Sequence, residues 1–310
     1  DLHVRSRRQR QMCIRDSLET VRFYSQFADV VVLARELTLD QITRICSGIR
    51  EERICGPSGE PVKVEIFIHG ALCVAVSGKC YMSLAAYNSS ANRGACFQNC
   101  RRSYTVRDTE TGTEFEIDNR YVMSPRDLCT LEFFDRILAS GVSVLKIEGR
   151  GRSADYVAHT VRIYRAALDL WMRGEELRPE QLAAWETSLA EVFNRGFWKG
   201  GYYLGHKLGE WAACGDSQAT VQKEYIGRIV NYYKKPEVAE LLITSGCLAC
   251  GDRILVTGST TGAQELRVGE LLLDGTAVDP AVKGMDVTFL SPVQLRTNDK
   301  VYKLTERNRS

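Results

Sequence analysis

What this chain lacks narrows its chemistry before anything it contains. No apolar run approaches the roughly 20 residues that a membrane-spanning helix needs, and the first residues lack the apolar core of a secretory signal. A cytoplasmic protein with no membrane partner is therefore expected. Only four histidines occur, none in an HExxH zinc pattern, and no GxSxG nucleophile elbow is present. Zincin and serine-hydrolase signatures are thus missing. The net charge of +2 is too small to define an electrostatic class, so nucleic acid is neither demanded nor excluded. There is no internal repeat and no low-complexity tract.

Cysteine is what the chain has in plenty: eleven in 310 residues. A chain of this length buries a substantial core without disulfides, and in a reducing compartment clustered cysteines are candidates for metal or redox chemistry. Four of them follow the spacing Cys73-x6-Cys80-x15-Cys96-x3-Cys100. Four thiolates are the number that a 4Fe–4S cluster or a structural zinc takes. Structural zinc usually shows two short Cys-x2-4-Cys knuckles, whereas here one short pair occurs, so the spacing leans towards iron–sulfur. Gly70, Gly78 and Gly94 would let the backbone approach a bulky cluster. Burial as a small hydrophobe is the commoner fate of any single cysteine, but four beside glycines on no periodic apolar face point to a metal. Cys247 and Cys250 form a CxxC with no second pair and no thioredoxin-like context, and are expected in a turn or core.

The first 17 residues, "DLHVRSRRQRQMCIRDS", are arginine-rich and aperiodic, and are expected to be extraneous to the fold. From Ser17 regular patterns begin. "SLETVRFYSQF" has helical spacing, "ADVVVLAREL" is a β-branched run, and "TLDQITRICSGI" is an amphipathic helix with a capping box of Thr38 and Gln41. "VKVEIFIHG" reads as a strand. "SPRDLCTLEFFDRILASG" is expected as one helix over 124–140, with Ser124 as N-cap and Pro125 at the first helical position. "VSVLKIEGR" follows as a strand, then a long helix from Ser153 to Gly174. Alternating strands and helices predict an α/β fold with a parallel sheet over 18–175. Three strand–helix units are too few to close an eight-stranded (β/α) TIM-type barrel, so an incomplete barrel is expected. Residues 176–217 read as a helical connector. The period changes to two from about 218, so 218–310 are expected as a small all-β, barrel-like domain.

Larger blocks carry a family resemblance. "IFIHGALCVAVSGKCYMS" followed by "NRGACFQNCR", with "VVLARELTLDQI", "SPRDLCTLEF", "SVLKIEGRGRSADYV" and "FNRGF" in the same order, resembles the collagenase-like peptidases, family U thirty-two. The resemblance covers about residues 18–205, and the β domain more loosely. It implies a (β/α) barrel of which this chain holds only the later strands; a second subunit would be one way to complete it. It also implies a 4Fe–4S cluster on four cysteines and oxygen-independent hydroxylation of tRNA uridines, an rRNA cytidine or the ubiquinone ring, with prephenate as oxygen donor. By position the ligands would be Cys73, Cys80, Cys96 and Cys100. Cys129 is the rival fourth ligand, since some relatives draw their last ligand from further downstream, but inside the expected helix it reads as a packing thiol.

Polar groups close the predicted strands: Arg35 and Glu36 the first, His69 the second, and Lys146, Glu148 and Arg150 the third. Barrel enzymes place their active sites at that end. A cluster of Arg, Lys and His suits a dicarboxylate such as prephenate, and a buried Glu148 could act as acid or base. Arg35, His69, Glu148 and Arg150 are the candidate catalytic residues, with an internal salt-bridge network as the plain alternative. "CRRSYTVR" (Cys100 to Arg107) and "YYKK" (Tyr232 to Lys235) combine rings and positive charge as RNA contacts require. The expected function is hydroxylation of an RNA base, most plausibly in tRNA. A collagenase-like peptidase, or a non-catalytic RNA-binding module stapled by metal, are the alternatives.

Overall fold

A computed structural model describes residues 16–77, 80–117, 124–205, 211–212 and 217–307. All but the last two residues of the segment expected to be extraneous lie outside these. The chain divides into two compact units. The first comprises 1–150, 163–187 and 194–218, and the second 151–162, 188–193 and 219–310.

The first unit opens with helix α1 (Leu18–Ser25), whose N-cap Ser17 accepts the Thr20 amide. Strand β1 (Val30–Val32) leads to helix α2 (Leu39–Glu51), and the capping box forms as its sequence specifies, with Thr38 and Gln41 each accepting the other's backbone N–H. Strand β2 (Lys63–Gly70) is buried at seven consecutive positions, the pattern of a strand covered on both faces. Helix α3 (Met82–Tyr87) ends at Asn88 in the left-handed conformation. A hairpin of β3 (Tyr104–Arg107) and β4 (Glu114–Ile117) follows.

Residues 124–140 differ from the helix that local pattern predicts. They form strand β5 (Asp127–Cys129), a 3-10 turn (Leu131–Phe133) and the short helix α4 (Phe134–Ala139), while Ser124 caps nothing and instead accepts a hydrogen bond from Arg101. Sheet pairing explains the difference: β5 lies antiparallel to the end of β2, with His69 opposite Cys129, and parallel to β7 (Phe197–Lys199). All three β5 residues are buried, so tertiary pairing overrides helix propensity. Cys129 is therefore a strand residue, not a helical one.

Strand β6 (Val144–Glu148) runs parallel to β2, as β1 does. The described sheet of this unit thus has five strands, with β1, β2, β5 and β7 in spatial order and β6 also on β2. Its apolar positions pack among Val31, Ile42, Ile66, Ile68, Phe134, Ile137 and Trp198, all essentially buried. Helices α5 (Ala154–Met172) and α6 (Pro179–Leu189) follow β6. Residues 176–217, expected as a connector, contribute β7 to this sheet.

The second unit is dominated by antiparallel strands, as the period-two pattern predicts. Strand β8 (Val221–Tyr233) is flanked by β9 (Val238–Ile243) and the C-terminal strand Lys300–Glu306 in an eight-stranded sheet. Register shifts at Val301/Tyr302 and Ile229/Asn231 bend it. Ile226, Ile229, Leu241, Ile243, Ile254, Val287 and Phe289 fill its core. No described helix is long and apolar enough to cross a membrane.

Candidate cysteine-centred site

The four clustered cysteines all lie beyond the C-terminal end of β2, in the loops around α3. Each is a free thiol, Cys73 and Cys96 open to solvent and Cys80 and Cys100 partly covered. Cys73 and Cys100 each stand within electrostatic reach of the other three. Although Cys73 touches solvent, the protein around it withholds enough water to raise its thiol above the ordinary range; a hydrogen bond from the Ala75 amide and the Arg35 charge oppose that. Burial raises the Cys100 thiol too, opposed by Arg101. The Gln98 amide donates to Cys96 Sγ at 3.4 Å. Two of the four sulfurs thus receive a backbone N–H from two residues on.

Among the described residues, no three His, Cys, Asp or Glu side chains converge closely enough to hold a metal ion. The donor set matches a thiolate-bound centre in kind and number, and the loops bring its members together. Ligation would require the sulfurs to close further inward.

Three arginines tie these loops down. Arg101 donates from Nη1 to Ser124 Oγ (2.9 Å) and Pro125 O (3.2 Å), and from Nη2 to Leu72 O (2.7 Å). Arg150 donates to Gly94 O at 2.8 Å. Gly94 has φ +97°, a conformation that favours glycine, and a Cβ there would stand 3.2 Å from the Arg150 guanidinium. Arg195, from "FNRGF", is buried 3.6 Å from the buried Asp127 and extends Nη2 towards Gln98 Oε1 at 3.4 Å. Neither Arg101 nor Arg195 stood out in the sequence as a clasp, because the 127 strand that explains them was not visible there.

The predicted catalytic residues are dispersed around this frame. Glu148 ends β6, where Gly70 (φ +112°) lets β2 pass so closely that a Cβ would lie 2.5 Å from Glu148 O. One Glu148 carboxylate oxygen accepts the Arg150 amide at 2.8 Å. Arg35 donates to Ala71 O at 2.8 Å and stacks over Phe67 at 4.4 Å. Lys146 lies over the same ring and pairs with Glu65 at 2.6 Å, and Glu36 accepts the Ser77 amide. His69 is different: it is only 2% exposed, packed against Tyr164 and Phe197, with Nδ1 3.4 Å from Tyr164 Oη. That tyrosine also lies 3.8 Å from Cys129 Sγ. Burial pushes the Cys129 thiol up to about 11.

The two RNA candidates also separate. Tyr104 of "CRRSYTVR" turns its hydroxyl onto Asn99 O and is half-buried, whereas Tyr87 and Phe97 present their rings to solvent. In "YYKK", Tyr232 donates to Ser291 O and Tyr233 to Glu240. Cys247 and Cys250 are exposed, Cys247 on a two-residue strand and Cys250 donating its amide to Asp279.

An α/β sheet whose strand ends carry a cysteine-rich loop layer clasped by arginines, followed by an all-β region, defines the class of protein. Residues 7–213 match Peptidase family U32, and the chain belongs to that family. The match begins inside the arginine-rich segment expected to be extraneous. Over 289 residues the chain is 49% identical to a protein named "Collagenase" from Porphyromonas gingivalis, covering 93% of this chain and 69% of that one. It is 30% identical to "tRNA hydroxylation protein P1" of Bacillus subtilis, over 69% of this chain and 48% of that protein. It is 40% identical to "23S rRNA 5-hydroxycytidine C2501 synthase" of Escherichia coli, over 45% of this chain and 19% of that one.

Proposed function

We propose that this chain hydroxylates an RNA base, a tRNA uridine, without molecular oxygen, using a 4Fe–4S cluster and a prephenate-like oxygen donor. The observation that carries the reading is the gathering of Cys73, Cys80, Cys96 and Cys100 into one loop layer, with backbone amides on two of the sulfurs. Similarity to proteins named for tRNA and rRNA hydroxylation supports the substrate class. Held on those four cysteines, the cluster would supply the redox centre that oxygen transfer needs. The sheet is read as a segment of a (β/α) barrel, supported by the parallel pairing of β1 and β6 on β2.

The chain's own residues would bind and orient. Arg150, anchored through one guanidinium nitrogen on Gly94, keeps further donors for a carboxylate of the oxygen donor. Arg35 sits in electrostatic reach of Cys73 and would face the second carboxylate. Glu148, tied to the Arg150 amide, would fix that turn and accept or return a proton. His69, sealed among Tyr164 and Phe197, would hold the end of β2 in place without touching substrate.

The name of the Porphyromonas relative favours a peptidase as the second reading. Its nucleophile would be Cys129 near His69, yet that thiol is buried and protonated, and the histidine is sealed from any peptide. Comparing nucleosides from total tRNA of a wild-type and a deletion strain tests the proposal. Loss of a hydroxylated uridine is expected; an unchanged tRNA profile would remove the proposed substrate. Intact hydroxylation in cells carrying a cluster-free variant would remove the cluster from the reaction.

A further inference from the structure

We propose that Tyr87, Phe97 and Arg102 form a stacking platform that receives an unpaired base of single-stranded RNA beside the cysteine loops. This rests on the RNA reading above and names the surface by which that site would hold its substrate.

Geometry is the first support. Tyr87, at the end of α3, and Phe97, next to Cys96, lie with ring centroids 5.0 Å apart and planes inclined by 43°. They remain 47% and 50% exposed. Arg102 lies over the Tyr87 ring at 5.4 Å and donates to its hydroxyl. Guanidinium and aromatic faces are the groups on which unstacked bases settle.

The platform is also held in place. Phe97 N–H donates to Ser83 Oγ at 3.0 Å, and Asn99 Nδ2 to Met82 O at 3.2 Å, so the segment between Cys96 and Cys100 is fastened to the start of α3. Rigid rings lose little freedom on binding.

Charge identifies the occupant. From Ile66 to Arg107 the sequence contains no Asp or Glu, yet it contains Lys79, Arg93, Arg101, Arg102 and Arg107. Arg93 and Arg102 are exposed. Exposed rings in a stretch of one positive sign suit a base attached to phosphates better than an uncharged peptide.

Fluorescence titration of the anaerobically purified protein tests this, using a labelled uridine-rich single-stranded oligoribonucleotide, its base-paired duplex and gelatin. Loss of one base–aromatic stack costs about 1–3 kcal/mol, so Tyr87→Ala should weaken single-strand binding about five- to 150-fold. Tyr87→Trp should restore it, and Arg102→Ala should weaken it and lower the salt dependence by about one phosphate contact. Circular dichroism melting establishes that each variant is folded; if the alanine variant is not, Tyr87→Leu fills the space without a π-face and carries the same expectation. Unchanged affinity in the folded variant would overturn the platform. Equal binding of the duplex, or gelatin binding that needs Tyr87 and resists competition by RNA, would do so as well. RNA affinity that depends on Tyr87 in a protein forming no hydroxylated nucleoside would keep the platform and remove the reaction. Unchanged affinity alongside normal hydroxylation would do the reverse.

Discussion

The chain carries two groups of exposed or half-exposed cysteines, and their surroundings differ in kind. Cys73, Cys80, Cys96 and Cys100 occupy loops at the end of a buried strand, with amides on two sulfurs and arginines fastening the backbone. Cys247 lies on a separate two-stranded ladder opposite Val282 and Cys250 in the turn after it, and both are absent from the buried core of the second unit. The two groups therefore differ in the donors and clasps around them rather than in exposure.

Breaking the first group should have the largest effect. Cys73→Ser or Cys96→Ser should abolish the iron–sulfur charge-transfer absorbance of anaerobically purified protein, whereas Cys247→Ser and Cys250→Ser should leave it intact. Equal loss from both groups would erase the distinction.

The clasps come next. Arg195→Ala removes an ion-pair partner 3.6 Å from the buried Asp127 carboxylate, and removing one member of a buried pair costs about 3–5 kcal/mol. Urea unfolding of the first unit should show this loss. Lys303→Ala, which removes a more open pair with Asp252 in the second unit, should cost about 1 kcal/mol or less.

A pH effect should separate the units further. Burial raises the thiols of Cys46 and Cys129, each to about 11, against an ordinary value of 9.0. The folded state therefore favours the protonated form. The stability linked to these thiols is fully present below pH 9 and is lost as pH rises through about 11, on the order of 2 kcal/mol for each group. Thermal melting of Cys129→Ala should show a shallower alkaline decline than wild type. A parallel decline would contradict the buried-thiol account.

The smallest effect belongs to local structure that the sequence already specifies. Thr38→Ala removes one half of the α2 capping box and should cost about 1 kcal/mol by chemical denaturation.

That capping box shows which parts of the fold were legible beforehand. Strands β1, β2 and β6 and helix α2 follow from short-range pattern, since their apolar periodicity and caps reside within each segment. Strand β5 does not, because its three residues become a strand only by lying between β2 and β7. With β5 hidden, the pairing of Asp127 with Arg195 and the anchoring of Arg101 on Ser124 and Pro125 were hidden too. The cysteines were legible because their spacing is sequence-local. His69 was legible as a strand end but not as a buried ring, which depends on Tyr164 from a distant helix and Phe197 from β7. The platform is not legible in the sequence because Tyr104 lies nearer the arginines along the chain, while Tyr87 reaches Arg102 only through the fold.

The central claim is that four loop cysteines hold a cluster. Iron and acid-labile sulfide determination on the anaerobically purified, folded chain tests it most directly. The account predicts about four irons and four sulfides per chain, both lost in Cys73→Ser. Zinc in their place, or a folded protein with no metal at all, would contradict it.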